Sequence, residues 1–249
     1  DNGLILRDDY ACPHDLAEVC ARFSAALQDF GYPECPGKIM VSTPEWRQRR
    51  EAFSAAVRRW LLVPSAEGLM ALAIFLDAKA VCGDAELLEA VRGEIFKLVS
   101  SSDVLLMRFA SAINVFSEGI GWWNRLLRPD ERAPLNLKKA GIFPLVHGVR
   151  SFALEQHLLV TGTVERLEAL VGQGVLSREL AGELTDSLHF LMGLKLKVGL
   201  GELETGKPVS GGVDVDRLTP LDRDLLKDAL GVVKRFKVLL RHHFHLELQ

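Results

Sequence analysis

Residues 219–243 read TPLDRDLLKDALGVVKRFKVLLRHH, and this segment indicates the fold class more clearly than any other part of the chain. Thr219 is a residue type that caps helices, and Pro220 suits the first helical position. Apolar residues then return at steps of four or three, which places on one helical face Leu221, Leu225, Ala229, Val232, Phe236 and Leu239. The pattern predicts an amphipathic helix over 220–246 that packs one face against other helices.

The same helical period runs through most of the chain after residue 65. A segment that begins at Ser177 repeats the pattern with Leu180, Leu184, Leu188, Leu191 and Leu194. Further helices are predicted over 66–80, 85–99, 103–118, 143–158, 164–173 and 178–204. Short turns marked by Gly or Pro join them, with longer loops over 119–136 and 205–218, and this organisation favours an antiparallel helical bundle. We predict no strand after residue 45.

The first part of the chain has an α/β pattern instead. A strand is predicted up to Leu6 with Asp1 at its head, then a helix from about residue 13 to 30, then a strand over 38–42. Two strands alone do not form a stable sheet. We therefore expect residues 1–43 to be the trailing remnant of an α/β domain in a longer chain, and residues 44–249 to be a helical domain. The expected fold class is mainly α.

Composition excludes several classes of protein. The chain has 249 residues, of which 48% are hydrophobic, and a net charge of −3, which argues against a dedicated nucleic-acid binder. No apolar run approaches the roughly 18 residues that a membrane span needs. The four cysteines are scattered without a C-x-x-C pair, which disfavours a zinc site and indicates reduced thiols in a cytoplasmic protein.

Several charged residues are candidates for a functional site. Asp77 follows the apolar run over 73–76, where it could be a helix-terminal acid paired with Lys79. Arg150 lies among apolar neighbours, so we expect it to be partly buried and to need a partner, either a structural acid or a substrate phosphate or carboxylate. Lys138 and Lys139 could approach a ligand or be solvated.

Several stretches, taken in order, resemble one family. They are residues 1–6 (DNGLIL), 31–46 (GYPECPGKIMVSTPEW), 74–79 (IFLDAK), 136–141 (NLKKAG), Arg150 and residues 163–167 (TVERL). Together they resemble nucleotidyltransferases found beside CBS and cyclic-nucleotide-binding domains in bacterial signalling proteins, which are relatives of the PII-uridylyltransferases. The later stretches resemble the helical substrate-binding domain of that family.

The resemblance implies Mg²⁺-dependent transfer of a nucleotidyl group from an NTP to an acceptor, such as a regulatory protein. In this family two carboxylates of a strand D-x-D hold the metal, since alternate residues of a strand point to the same side. Asp1 would be the second of them and Asp77 the third carboxylate, so both are predicted catalytic and metal-binding residues. The substrate-binding residues implied are Lys138, Lys139, Arg150 and Arg166. With one carboxylate of the D-x-D outside residues 1–249, this chain alone would be inactive.

A second hypothesis is a non-catalytic signalling module whose helical bundle docks a partner protein. Both hypotheses exclude nucleic acid and membrane as partners, and both leave a homo-oligomer open. The enzyme hypothesis makes a further prediction, which is that the helical domain closes over Asp1. Asp77 and at least one of Lys138, Lys139 or Arg150 would then share its concave surface.

Overall fold

The computed structural model describes residues 1–63, 65–116 and 134–246. The chain divides into two compact units. The N-terminal unit comprises Asp1–Leu72 and Ala78–Leu98, and the helical unit comprises Ala73–Asp77 and Val99–Gln249. Helix accounts for 66% of the structure and strand for 4%, which confirms the predicted mainly α class.

The N-terminal unit combines a small parallel sheet with helices. Its elements are β1 (Leu4–Leu6), α1 (Leu16–Asp29), a 3₁₀ turn (Pro44–Trp46), β2 (Arg47–Arg49), α2 (Arg50–Leu62), α3 (Ala66–Phe75) and α4 (Glu86–Ser100), of which α3 and α4 end in residues of the helical unit. Strands β1 and β2 pair in parallel with Leu4 opposite Arg47. Trp46, Phe53 and Trp60 form an aromatic cluster with ring centroids 5.3–6.0 Å apart, which packs α2 against the 3₁₀ turn.

The prediction of a strand over 38–42 is wrong, and the second strand is β2. Lys38 has a φ of 55°, a left-handed conformation that a strand does not contain. The backbone N–H of Asn2 donates to the carbonyl of Ile39 at 3.0 Å, and its side-chain Oδ1 accepts from the N–H of Val41 at 2.7 Å. These bonds hold residues 38–41 as a turn, and the next helix, α2, begins at Arg50.

The helical unit contains the longest helices. Its elements are α5 (Asp103–Ala110), α6 (Ala112–Phe116), β3 (Leu135–Asn136), a π-helix (Lys138–Ile142), α7 (Phe143–Glu155), α8 (Thr163–Gly172), α9 (Arg178–Glu204), β4 (Gly212–Val213), a 3₁₀ turn (Val215–Arg217) and α10 (Pro220–His243). The side chains of Ser177 and Thr219 accept hydrogen bonds from the first turns of α9 and α10, as N-caps do.

Helices α9 and α10 pack antiparallel in the helical unit. Lys197 pairs with Asp222 at 2.7 Å and Glu183 pairs with Arg235 at 2.7 Å, so residue numbers rise along one helix as they fall along the other. The buried apolar residues of α7, α9 and α10 form one core, which includes Val149, Phe152, Leu184, Leu191, Leu230 and Phe236. This core supports α7, the helix that carries Arg150.

Other predicted elements differ in detail. The predicted helix over 103–118 is interrupted between α5 and α6 at Ser111, and α10 ends at His243 rather than 246. The prediction of no strand after residue 45 is wrong, because β2 lies at Arg47–Arg49 and β3 pairs antiparallel with β4. Most of the predicted loop over 119–136 lies outside the described residues. Within the residues described, no helix is long and apolar enough to cross a membrane.

Candidate functional site

The helical unit brings Asp77, Arg150 and Arg166 together in one ion cluster, which we call the Asp77 cluster. Arg150 Nε donates to Asp77 Oδ1 at 3.0 Å, and Arg150 Nη2 donates to Asp77 Oδ2. Arg166 Nη1 donates to the same Oδ1 at 2.7 Å. The side chains of Arg150 and Arg166 are 9% and 3% exposed, whereas that of Asp77 is 35% exposed. Two buried guanidinium groups therefore hold one carboxylate that reaches solvent.

Arg166 also fixes two neighbouring stretches of backbone. Its Nη2 donates to the carbonyl of Leu76 at 3.0 Å, and its Nε donates to the carbonyl of Val160 at 2.9 Å. Arg166 lies in the first turn of α8, so the connection before this helix curves around its guanidinium group. A planar group with five donors is well suited to this role, because it can bind a carboxylate and two carbonyls at once.

His147 lies against the Asp77 cluster, one helical turn before Arg150 on α7. Its Nε2 lies 2.8 Å from the carbonyl oxygen of Phe109, and its Nδ1 lies 3.4 Å from Arg150 Nη1. Burial, together with the charge of Arg150, lowers the pKa of His147 from 6.5 to about 3. The imidazole is therefore neutral at physiological pH, so that Nε2–H donates to Phe109 and Nδ1 accepts from Arg150.

Asp77 is ionised in this environment. Burial acts to raise the pKa of Asp77, but the hydrogen bonds and charges of Arg150 and Arg166 outweigh it and hold the pKa below its ordinary value. In the described residues its ion-pair partners are these two arginines and not Lys79. Arg150 thus has an acid partner within the chain, one of the two alternatives that its apolar neighbours predicted.

The geometry around Asp77 favours an anion more than a metal ion. Both carboxylate oxygens accept from guanidinium groups, and the two positive charges of Arg150 and Arg166 oppose a further cation at the same place. Among residues 1–63, 65–116 and 134–246, no group of three or more His, Cys, Asp or Glu side chains is placed to hold a metal. Nothing in the geometry supports Mg²⁺ at Asp77, and that role stays a prediction.

The two lysines lie on a different feature of the helical unit. Lys138 and Lys139 are exposed on the π-helix, where Asn136 Oδ1 accepts from the N–H of Lys139 at 3.1 Å. A Cβ atom on Gly141 would lie 2.6 Å from the side chain of Leu191, so a glycine is needed for the close approach to α9. A π-helix is uncommon and is often associated with function. The hydrogen bonds found in the Asp77 cluster include neither lysine.

Asp1 is exposed in the N-terminal unit and lies three residues before β1, so the strand begins after this residue rather than at it as predicted. At the other end of the strand, Asp8 accepts from the N–H of Glu51 at 2.9 Å and pairs with Arg50 at 2.6 Å. The bond from Glu51, helped by Arg50, lowers the pKa of Asp8. Asp8 and Arg50 are 42 residues apart in the chain, so no local pattern in the sequence indicates this pair. Asp1 and the Asp77 cluster belong to different units, and the closure of one over the other stays a prediction.

Two family models match the chain in succession. The model described as "Putative nucleotidyltransferase DUF294" matches residues 1–67, and the model described as "Putative nucleotidyltransferase substrate binding domain" matches residues 103–244. The second match covers more than half of the chain, so the chain belongs to this nucleotidyltransferase substrate-binding domain family. No curated protein and no solved structure gives a significant match. The predicted domain boundary at residue 43 stays a prediction.

Proposed function

We propose that the protein is a Mg²⁺-dependent nucleotidyltransferase that acts on a regulatory protein. The observation that carries this proposal is the order of the two family matches, a nucleotidyltransferase segment followed by its substrate-binding domain. In the proposed reaction an acceptor oxygen forms a bond to the α-phosphorus of an NTP. The bond between the α-phosphorus and the bridging oxygen breaks, pyrophosphate leaves, and the acceptor proton passes to solvent or a base.

Asp1 is the proposed metal-binding carboxylate of the N-terminal unit. It is exposed and lies three residues before β1, so its carboxylate is accessible to a metal ion from solvent. Mg²⁺ held there would neutralise the triphosphate and align the attacking oxygen with the leaving pyrophosphate. This role rests on the resemblance of residues 1–6 to the family's strand and on the family match over residues 1–67.

The helical unit is proposed to hold the substrate. Lys138 and Lys139 present exposed ammonium groups on the π-helix, and Arg150 and Arg166 present guanidinium groups in a fixed geometry. Both kinds of cation bind phosphate, and the guanidinium fork adds directional hydrogen bonds. Uridylyl or adenylyl transfer to a cytoplasmic signalling protein is the specific reaction proposed, by analogy with the PII-uridylyltransferases that the sequence resembles.

One observation favours a second candidate, a non-catalytic helical module that docks a signalling partner. Asp77, the proposed third carboxylate, already accepts hydrogen bonds from Arg150 and Arg166. A chain that had lost catalysis could keep this acid as part of the structure alone. The two candidates differ in whether the protein binds a Mg²⁺–NTP complex.

Titration calorimetry of the full-length protein with Mg²⁺–ATP and Mg²⁺–UTP tests the proposal. We expect saturable binding of at least one nucleotide, lost with EDTA and weakened at least tenfold by Asp1→Asn. Asp29→Asn is the matched control, because Asp29 is an exposed acid at the end of α1 and should leave binding unchanged. Tight binding that survives Asp1→Asn would show that the metal site lies elsewhere. No binding by the wild type would favour the docking module.

A further inference from the structure

We propose that Arg150 and Arg166 form a phosphate-binding site, and that Asp77 occupies this site in the structure as a displaceable internal ligand. The proposal deepens the function proposed above, and it rests on that function only for the source of the phosphate. The site itself is inferred from the geometry of the Asp77 cluster.

The donors of the cluster have the arrangement that a phosphate group requires. Arg150 directs Nε and Nη2 side by side at the two oxygens of Asp77, and Arg166 Nη1 reaches one of these oxygens from a second helix at 2.7 Å. A guanidinium fork binds carboxylate and phosphate with the same bidentate geometry. A phosphate group offers a third oxygen and more negative charge, so it can satisfy the same donors.

Both arginines have partners in addition to Asp77. Arg166 is anchored by the carbonyls of Leu76 and Val160 at 3.0 Å and 2.9 Å, and Arg150 is close to the neutral imidazole of His147. Both side chains are more than nine-tenths buried, so they cannot turn to solvent when the carboxylate leaves. Preorganised donors of this kind bind an anion without a further loss of side-chain conformational entropy.

Asp77, by contrast, is placed to leave the site. It follows α3 in a connecting segment, and its side chain is 35% exposed. A rotation of this side chain toward solvent would open the place of its two oxygens to an anion from outside. The Asp77 carboxylate therefore competes with phosphate for the same donors and lowers the apparent affinity of the site for phosphate. Only ligands that make further contacts with the protein would displace it at low concentration.

The test measures thermal unfolding of the full-length protein during titration with sodium phosphate, at constant ionic strength set with sodium chloride. In Asp77→Asn the side chain that competes with phosphate loses its charge. We therefore expect a saturable rise in Tm and an apparent Kd for phosphate at least tenfold lower than in the wild type. Glu183→Gln is the matched control, because it removes an acid from an exposed ion pair with Arg235 and should respond as the wild type does.

If Asp77→Asn does not fold, the same titration is followed in the wild type by NMR of the arginine side chains. Saturable shifts of the Nε–H signals of Arg150 and Arg166 would support the site. The proposal is overturned if phosphate gives no saturable effect in the protein that folds, or if Glu183→Gln gains affinity as much as Asp77→Asn. Asp77 would then be a permanent structural partner of the two arginines.

Two further ligands distinguish the source of the phosphate. Tripolyphosphate stands for the end of an NTP, and O-phosphoserine stands for a phosphorylated acceptor. Binding of tripolyphosphate at least tenfold tighter than that of inorganic phosphate assigns the site to the NTP, and the same gain for O-phosphoserine assigns it to the acceptor. These titrations are run in EDTA, which abolishes the Mg²⁺–NTP binding expected of the transferase, so failure of the transferase proposal and failure of the phosphate site give different results.

Discussion

Replacing Arg166 with methionine tests how strongly the Asp77 cluster stabilises the helical unit. The change removes one charge-assisted bond to Asp77 and leaves the carbonyls of Leu76 and Val160 without the donors that lie 3.0 Å and 2.9 Å away. Loss of the charge-assisted bond to Asp77 costs about 1.5–3 kcal/mol of stability, and each carbonyl left without a donor costs about 1–3 kcal/mol. Because the structure relaxes and neighbouring losses do not add fully, we expect a decrease of about 4 kcal/mol in the free energy of unfolding. Methionine keeps the apolar volume of the arginine stem.

The assay is urea unfolding at 25 °C, followed by circular dichroism and by hydrogen exchange of the amides of α8. The matched control is Arg235→Met, which removes an ion pair with Glu183 in which the arginine side chain is 59% exposed. Exposed pairs of this kind contribute less than about 1 kcal/mol. Equal losses of stability in Arg166→Met and Arg235→Met would refute the view that the buried cluster stabilises the unit.

Two other predictions concern α7 and α9. The pKa of His147 falls from 6.5 to about 3 on folding, so the unfolded chain binds a proton first and stability declines as the pH is lowered below about 6.5. The free energy of unfolding should fall by about 2 kcal/mol between pH 7 and pH 5 from this group, and His147→Gln should remove that part of the slope in urea titrations. Gly148→Ala would place a Cβ 2.6 Å from the ring of Phe236 and should destabilise by about 1–3 kcal/mol, whereas Gly182→Ala meets nothing within 4 Å and should stabilise by about 0.5–1 kcal/mol. Thermal unfolding of both glycine variants checks the opposite signs, and a stabilised Gly148→Ala would contradict the packing.

Local sequence signals predicted the long helices well. The predicted helix over 178–204 has the bounds observed for α9, and that of α10 is correct at its first residue. Both helices begin with a side-chain cap and repeat apolar residues over many turns, so the signals that predict them are local. The buried face of α10 is nevertheless offset from the predicted one, because Leu226, Leu230 and Leu240 are buried whereas Leu221, Leu225 and Leu239 are exposed. Mainly helical architecture is therefore readable from the sequence.

Elements set by distant contacts could not be predicted in this way. The run Ile39-Met40-Val41 has the composition of a strand, but hydrogen bonds to Asn2 hold it as a turn. Strands β3 and β4 have two residues each, too short for any period to show, and they pair across more than seventy residues of chain. Tertiary contacts override local preference in both cases.

The candidate site shows the same division. The apolar neighbours of Arg150 predicted its burial and its need for a partner, because a buried guanidinium group must be paired. The identity of that partner is a tertiary fact, since Asp77 lies 73 residues away in the chain. His147 precedes Arg150 by three residues, which places the two side chains on one helix face, but its neutral state follows from burial that the sequence does not show.

Transfer of label from an α-³²P-labelled NTP is the most direct test of the proposed activity. The full-length protein is incubated with Mg²⁺, each of the four NTPs in turn, and a protein extract of the organism that carries the gene. Nucleotidyl transfer predicts a labelled protein together with release of pyrophosphate, both lost with EDTA and reduced at least a hundredfold by Asp1→Asn. If none of the four NTPs gives a Mg²⁺-dependent labelled product, the result contradicts the proposed activity.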